Sequence, residues 1–168
     1  EAGITLLGSD FVTINGLDIQ SVDGLLEHGI YITNTSATDG AHFNIVRNVA
    51  ITLDKENANQ TEAIRVSPSI EATNIEGSTN NNHFYNNTIQ NTFIGYVFDG
   101  NNSTTSLMSI GNEVGTDQDS TSTIIDIVMC GVLMDDQNGF RLFNTSIQDL
   151  TRIGSGTTAP AAISTMSG

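Results

Sequence analysis

The sequence predicts an all-β chain wound as a right-handed parallel β-helix of about five coils. Three observations carry that expectation. Two short motifs alternate strictly along the chain, one of them holds a recurring Gly/Asn position, and the composition suits strands and turns better than helices. The 168 residues include 16 Gly and only 2 Pro, charged residues make up 14%, and Ile, Val, Thr and Asn are frequent. β-Branched side chains fit a pleated surface and lose rotamer freedom in a helix. No stretch long enough for an amphipathic helix shows the helical period.

A strand opens at Ile4-Thr-Leu6, and the first motif follows. Its form is apolar, any, Gly/Asn, any, any, aliphatic. It reads Ile14-Asn-Gly16-Leu-Asp-Ile19, Val46-Arg-Asn48-Val-Ala-Ile51, Phe84-Tyr-Asn86-Asn-Thr-Ile89 and Leu142-Phe-Asn144-Thr-Ser-Ile147. A weaker copy, Ser109-Ile-Gly111-Asn-Glu-Val114, fails at its first apolar position. The Gly/Asn positions are therefore 16, 48, 86, 111 and 144, separated by 32, 38, 25 and 33 residues. The second motif is small, apolar, any, apolar. It reads Gly29-Ile-Tyr-Ile32, Ala63-Ile-Arg-Val66, Gly95-Tyr-Val-Phe98, Gly131-Val-Leu-Met134 and, faintly, Ala162-Ile-Ser-Thr165.

Each segment is too short for a helix and alternates with period two, as strands do. The Gly/Asn column has a physical reason. A tight turn between two strands needs a residue that tolerates positive φ, and Gly and Asn tolerate it best. Stacked Asn side chains can also hydrogen-bond from repeat to repeat. Ile19, Ile51, Ile89, Val114 and Ile147 are expected to form one buried aliphatic stack. The polar stretches 21–24, 33–40, 55–61, 71–82, 99–106 and 115–123 read as exposed loops, which makes the spacings uneven. No linker divides the chain, so one domain is expected over residues 1–168. Neither end shows a capping element, which predicts a segment of a longer chain or end-to-end association.

Composition narrows function. Five Lys plus Arg face 19 Asp plus Glu, giving a formal charge of −14. Nucleic acid and anionic membrane surfaces are disfavoured as partners, because both need basic clusters. No apolar run is long enough to span a bilayer, and no basic segment followed by an apolar one opens the chain. The single Cys130, between Met129 and Gly131, excludes an internal disulfide framework and reads as a small buried hydrophobe. Trp is absent and aromatics make up 6%, which argues against a broad platform for stacking sugar or base rings.

The strings Phe11-Val-Thr-Ile-Asn-Gly-Leu-Asp-Ile19, Asn81-Asn-His-Phe-Tyr-Asn-Asn-Thr-Ile-Gln90, Ile110-Gly-Asn-Glu-Val-Gly-Thr116 and Gly139-Phe-Arg-Leu-Phe-Asn-Thr-Ser-Ile147 resemble right-handed β-helix repeats. Such repeats occur in large secreted surface proteins of Bacteroidota, many exported by the type IX secretion route. The resemblance implies a secreted or cell-surface location. It also implies a structural or adhesin-like role, with a polysaccharide or surface glycan as partner. The fold it implies is shared with pectate lyases and polygalacturonases, so the alternative is a polysaccharide lyase or glycoside hydrolase acting on acidic polysaccharide. Fold alone does not decide between them.

The residues disfavour catalysis. A calcium-dependent lyase needs clustered carboxylates for the metal and a basic residue to take the proton. Arg65, outward in the second motif, is the best candidate base, but its plainer reading is a solvated strand arginine. Glu27-His28-Gly29 and Asp135-Asp136 are fragments of a polygalacturonase-like site, and the expected Arg-x-Lys is missing. His28, His42 and His83 lack metal-ligand spacing and read as turn or edge residues. Aligning the second motif places Thr33, Ser67, Asp99 and Asp135 in one row. Asp99 and Asp135 should then lie about 5 Å apart, and two such carboxylates repel unless a proton or cation intervenes. Asp99, Asp135 and Asp136 are the candidate Ca²⁺ ligands, and Asp99, Asn101 and Arg65 the candidate ligand-binding residues. The loops 99–103 and 117–120 would add oxygens.

Overall fold

The structure, a computed structural model, describes residues 1–21, 23–100, 104–116, 121–151 and 160–165. The strands are β1 (Ala2–Leu7), β2 (Thr13–Asn15), β3 (Asp18–Gln20), β4 (His28–Thr33), β5 (Ile45–Arg47), β6 (Ala50–Thr52), β7 (Glu62–Val66) and β8 (His83–Tyr85). They continue with β9 (Thr88–Asp99), β10 (Ser109–Ile110), β11 (Glu113–Val114), β12 (Ser122–Asp135), β13 (Gln137–Asn138), β14 (Arg141–Leu142), β15 (Thr145–Leu150) and β16 (Ala161–Thr165). The chain is all-β, with no α-helix among the described residues. Every strand pairing is parallel.

The sheets follow the repeats. One arm of a nine-stranded sheet runs β1–β4–β7–β9–β12–β16, and the other runs β3–β6–β9–β12–β15. The long strands β9 and β12 belong to both arms. A five-stranded sheet runs β2–β5–β8–β11–β14. This arrangement is compatible with a parallel β-helix.

All five copies of the second motif lie in register, with Ile30, Ile64, Tyr96, Val132 and Ile163 in one row. The small residue at its head has a steric cause. A Cβ on Gly29 would stand 2.7 Å from Ile51 Cγ2 and from the Ala63 carbonyl, and one on Gly95 would stand 2.5 Å from the Gly131 carbonyl. The Ile stack of one arm thus packs onto the small column of the other. Phe84, Tyr96 and Phe98 cluster edge and face in the middle of the core. Burial pushes the Tyr96 phenol up to about 12, against the lowering effect of its hydrogen bonds with Asn87 and Ser122.

The turn column holds its predicted geometry at Gly16, Asn48, Asn86 and Asn144, with φ of 72°, 53°, 54° and 37°. The weaker copy, Ser109–Val114, is out of register with the other four. Gly111 hydrogen-bonds to the Asn138 carbonyl and follows Asn81, so it belongs to the preceding turn. Val114 accordingly pairs with Phe84 and Leu142, and Ile124 fills the aliphatic stack between Ile89 and Ile147. At least two turns of each repeat take positive φ, so a glycine alone does not say which of them it occupies.

The Asn ladder is double. Asn86 donates to Asn48 Oδ1, the expected bond within the turn column, and Asn48 donates to Asn15 Oδ1 at 2.7 Å, beside the column; this ladder is exposed. A second ladder is buried: Asn44 Nδ2 donates to Asn82 Oδ1 at 3.0 Å, and Asn82 Nδ2 to Asn112 Oδ1 at 3.3 Å. It also caps backbone N–H groups that the turn leaves unpaired. Part of the segment 71–82 was therefore wrongly expected to be an exposed loop. It carries a 3₁₀ turn at Ile75–Gly77, and Ser78, Thr79 and Asn82 are buried.

Candidate functional site

Two outer faces carry the candidate groups, that of β4, β7, β9 and β12 and that of the five-stranded sheet; β10 and β13 form a separate two-stranded sheet. On β4, β7, β9 and β12 the inward rows begin at Ile30 and Ile32. Tyr31, Arg65, Val97 and Leu133 therefore form an outward row. His28, Glu62, Ile94 and Cys130 form another, three residues earlier, because the small residue of the motif and the one after it both face the core.

Arg65 is not a solvated arginine, because it sits between two carboxylates. Its Nη1 donates to both oxygens of Glu62 at 3.0 Å, and its Nη2 donates to Asp99 Oδ2 at 3.1 Å. The Arg65, Glu62 and Asp99 side chains are 25%, 13% and 28% exposed. Burial would raise the Glu62 carboxyl, but the His28 imidazole and the Arg65 guanidinium outweigh it and hold the group below the usual glutamate range. Burial likewise opposes the Arg65 charge, and Glu62 and then Asp99 outweigh it, so its pKa is raised. His28 Nδ1 lies 3.3 Å from Glu62 Oε2, poorly aligned for a hydrogen bond, and the imidazole tilts against the Tyr31 ring. The histidine thus stands on a strand facing an acid, whereas the sequence read it as a surface or turn residue.

The row of Asp99 and Asp135 exists as predicted, since the two residues are register partners on β9 and β12. Ser67 Oγ donates to Asp99 Oδ2 at 3.2 Å. The positive group beside Asp99 is Arg65. Asp135 has its carboxyl raised by burial and then by the charges of Asp136 and Asp99. Among the described residues, no group of three or more His, Cys, Asp or Glu is placed to hold a metal ion. Asp99, Asp135 and Asp136 therefore share a neighbourhood without forming a cage. Asn101 and the loop 117–120 lie outside the described residues.

Further along this face the chemistry turns apolar. Ile94, Val97, Cys130 and Leu133 form a second buried cluster, with Phe93, Met129 and Ala161 packed against it. Burial, and then the Glu62 charge, push the Cys130 thiol up to about 11, which leaves it protonated and inert near neutral pH.

The outer face of the five-stranded sheet differs. Its outward rows are Thr13, Ile45, His83, Glu113 and Arg141, then Asn15, Arg47 and Tyr85. Arg47 Nη1 donates to the Tyr85 hydroxyl at 3.3 Å, and its guanidinium carbon lies 6.0 Å from the centre of that ring. Arg47 Nε is buried with no hydrogen-bond partner. Arg141 pairs with Glu113 at 2.6 Å. In the turn leading into this sheet, the Phe11 and Phe43 rings stack with centroids 5.1 Å apart and planes within 4°. Phe11 is 75% exposed and Phe43 47%.

Sequence reasoning found Arg65, Asp99 and Asp135 but missed Glu62, which precedes the second motif by a single residue. It also missed the Phe11–Phe43 pair. Their separation of 32 residues, equal to that of Gly16 and Asn48, was the available signal. The chain matches no family model, no curated protein and no solved structure.

Proposed function

We propose that the parallel sheets close as a right-handed β-helix of about five coils with pectate-lyase-like architecture. The chain then acts as a non-catalytic, adhesive module of an exported bacterial surface protein and presents one outer face to a glycan. The Bacteroidota-like repeat strings support the setting. The observation that carries the non-catalytic reading is the double ion pair of Arg65 with Glu62 and Asp99. A lyase base must take a proton from its substrate. An arginine held in its charged form by two carboxylates, with its pKa raised, is unsuited to that step. The net charge of −14 serves solubility and keeps like chains apart.

The test is a turnover screen on acidic and neutral polysaccharides, with and without Ca²⁺, following new reducing ends and unsaturated uronates. No turnover is expected. Turnover that disappears in Arg65→Ala would overturn the reading in favour of a polysaccharide-degrading enzyme. The candidate Ca²⁺ site at Asp99, Asp135 and Asp136 is tested by melting with millimolar Ca²⁺, since a cation bound only by the native state raises the melting temperature.

A further inference from the structure

In the turn leading into the five-stranded sheet stand two rings that the fold does not bury. Phe11 and Phe43 lie outside both buried clusters. Their φ values are 57° and 56°, a region bulky residues avoid. Hydrogen bonds place them in one turn column: the N–H groups of Phe11, Phe43, Asn81 and Gly111 donate to the carbonyls of His42, Asn80, Ile110 and Asn138, each the residue before the next member, which makes the column Phe11, Phe43, Asn81, Gly111 and Gly139. The last three repeats fill that position with Asn, Gly and Gly at φ of 54°, 67° and 70°. The first two repeats instead put a phenylalanine there and turn it to solvent. Strain held at an exposed position is a mark of function rather than of folding.

The surroundings suggest the occupant. The Phe rings offer a flat apolar surface. Two outward rows further along the same face stand Asn15, the Arg47–Tyr85 pair and the exposed amides of Asn48 and Asn86. A flat apolar surface beside amide, hydroxyl and guanidinium groups matches a pyranose chain. The C–H face of one sugar ring packs on an aromatic ring, while neighbouring hydroxyls meet hydrogen-bonding side chains. Charge selects among glycans. The chain carries −14, and Lys55, Arg65 and Arg141 are each neutralised by a carboxylate. Arg47 makes no ion pair among the described residues, and one cation does not offset that field for a polyanion.

We infer that the surface formed by Phe11, Phe43, Asn15, Arg47 and Tyr85 is a binding site for a neutral polysaccharide chain. This rests on the adhesive reading above and gives that reading a site.

The experiment is affinity electrophoresis of the folded chain in gels containing xylan, galactomannan, mixed-linkage β-glucan, polygalacturonate or alginate. Retardation by at least one neutral polymer is expected. Phe11→Asn, Phe43→Asn and Tyr85→Phe should each weaken it, the first two by about tenfold, as loss of an aromatic contact allows. Phe11→Asn introduces the residue the third repeat uses, so its fold should survive. Tyr85→Phe keeps the ring and serves if Phe43→Asn proves unstable. If the parent is retarded and Phe11→Asn and Tyr85→Phe are retarded equally, the site is wrong and the adhesive reading stands. If only the acidic polymers retard the parent, the neutral assignment fails. If none does, the site and the glycan-binding reading fall together.

Discussion

Two outer faces of this molecule use their outward positions differently. Along β4, β7, β9 and β12 of the nine-stranded sheet, the outward groups pair within the chain: Arg65 joins Glu62 and Asp99, and Ile94, Val97, Cys130 and Leu133 pack together. On the five-stranded sheet, Phe11 and Phe43 stand in solvent on backbone that a glycine would adopt more easily. The comparison separates groups that hold the repeats together from groups the fold could lose. Removing a group from the first face should cost stability, and removing Phe11 from the second should cost little.

Both faces rest on one core, and the largest expected effect comes from breaking it. Ile51 is fully buried between Ile19 and Ile89 and touches the small column at Gly29. Ile51→Asp places a carboxylate in that stack and should abolish folding, read as loss of the cooperative melting transition. A variant that melts like the parent would show that the register is wrong.

The next effect sharpens the comparison on the nine-stranded sheet. Glu62→Ala leaves Arg65 with Asp99 alone, and Arg65→Ala leaves Glu62 half-buried beside His28. Breaking a fully buried pair costs about 3–5 kcal/mol. Partial exposure reduces that to about 2 kcal/mol here, a fall in melting temperature of roughly 5 °C for a chain of this size.

Acid tests the same cluster without mutation. The Glu62 carboxyl is held below its ordinary range, so the folded state binds its proton less readily than the unfolded state does. Its stabilisation is present above the unfolded glutamate value and is lost as the pH falls through the folded one. Melting temperature should therefore drop steeply below about pH 4.5, and less steeply in Glu62→Gln.

The smallest effect belongs to the five-stranded sheet. A non-glycine residue in the left-handed region costs roughly 1–2 kcal/mol. Phe11→Asn relieves part of that and gives up one exposed ring contact worth about 1 kcal/mol. The melting temperature should shift by no more than about 2 °C in either direction, as a thermal scan followed by circular dichroism would show.

The sequence revealed five copies of the second motif because its small residue answers a steric demand, the close approach of Ile51, Ile124 and Ile147 to the neighbouring strand; it missed a sixth, Gly3-Ile4-Thr5-Leu6, whose Ile4 pairs with Ile30. It misread the fourth copy of the first motif because Gly111 and Gly115 both take positive φ. The buried ladder of Asn44, Asn82 and Asn112 was hidden because buried and loop asparagines look alike in a chain rich in both. At the candidate site, the Asp99–Asp135 row followed from aligning repeats. The pairing of Arg65 with Glu62 did not, because it depends on how two side chains turn on one strand. Composition argued against aromatic platforms as an average over the chain, and that average misses two phenylalanines brought to 5.1 Å by the repeat length.

The claim that the two faces differ in kind is tested most directly by thermal unfolding of Arg65→Ala and Phe11→Asn beside the parent, at neutral pH. The account predicts a fall of roughly 5 °C for Arg65→Ala and a shift of no more than about 2 °C for Phe11→Asn. A fall of similar size in both would contradict it, making the Phe11–Phe43 stack a structural contact like the Arg65 cluster.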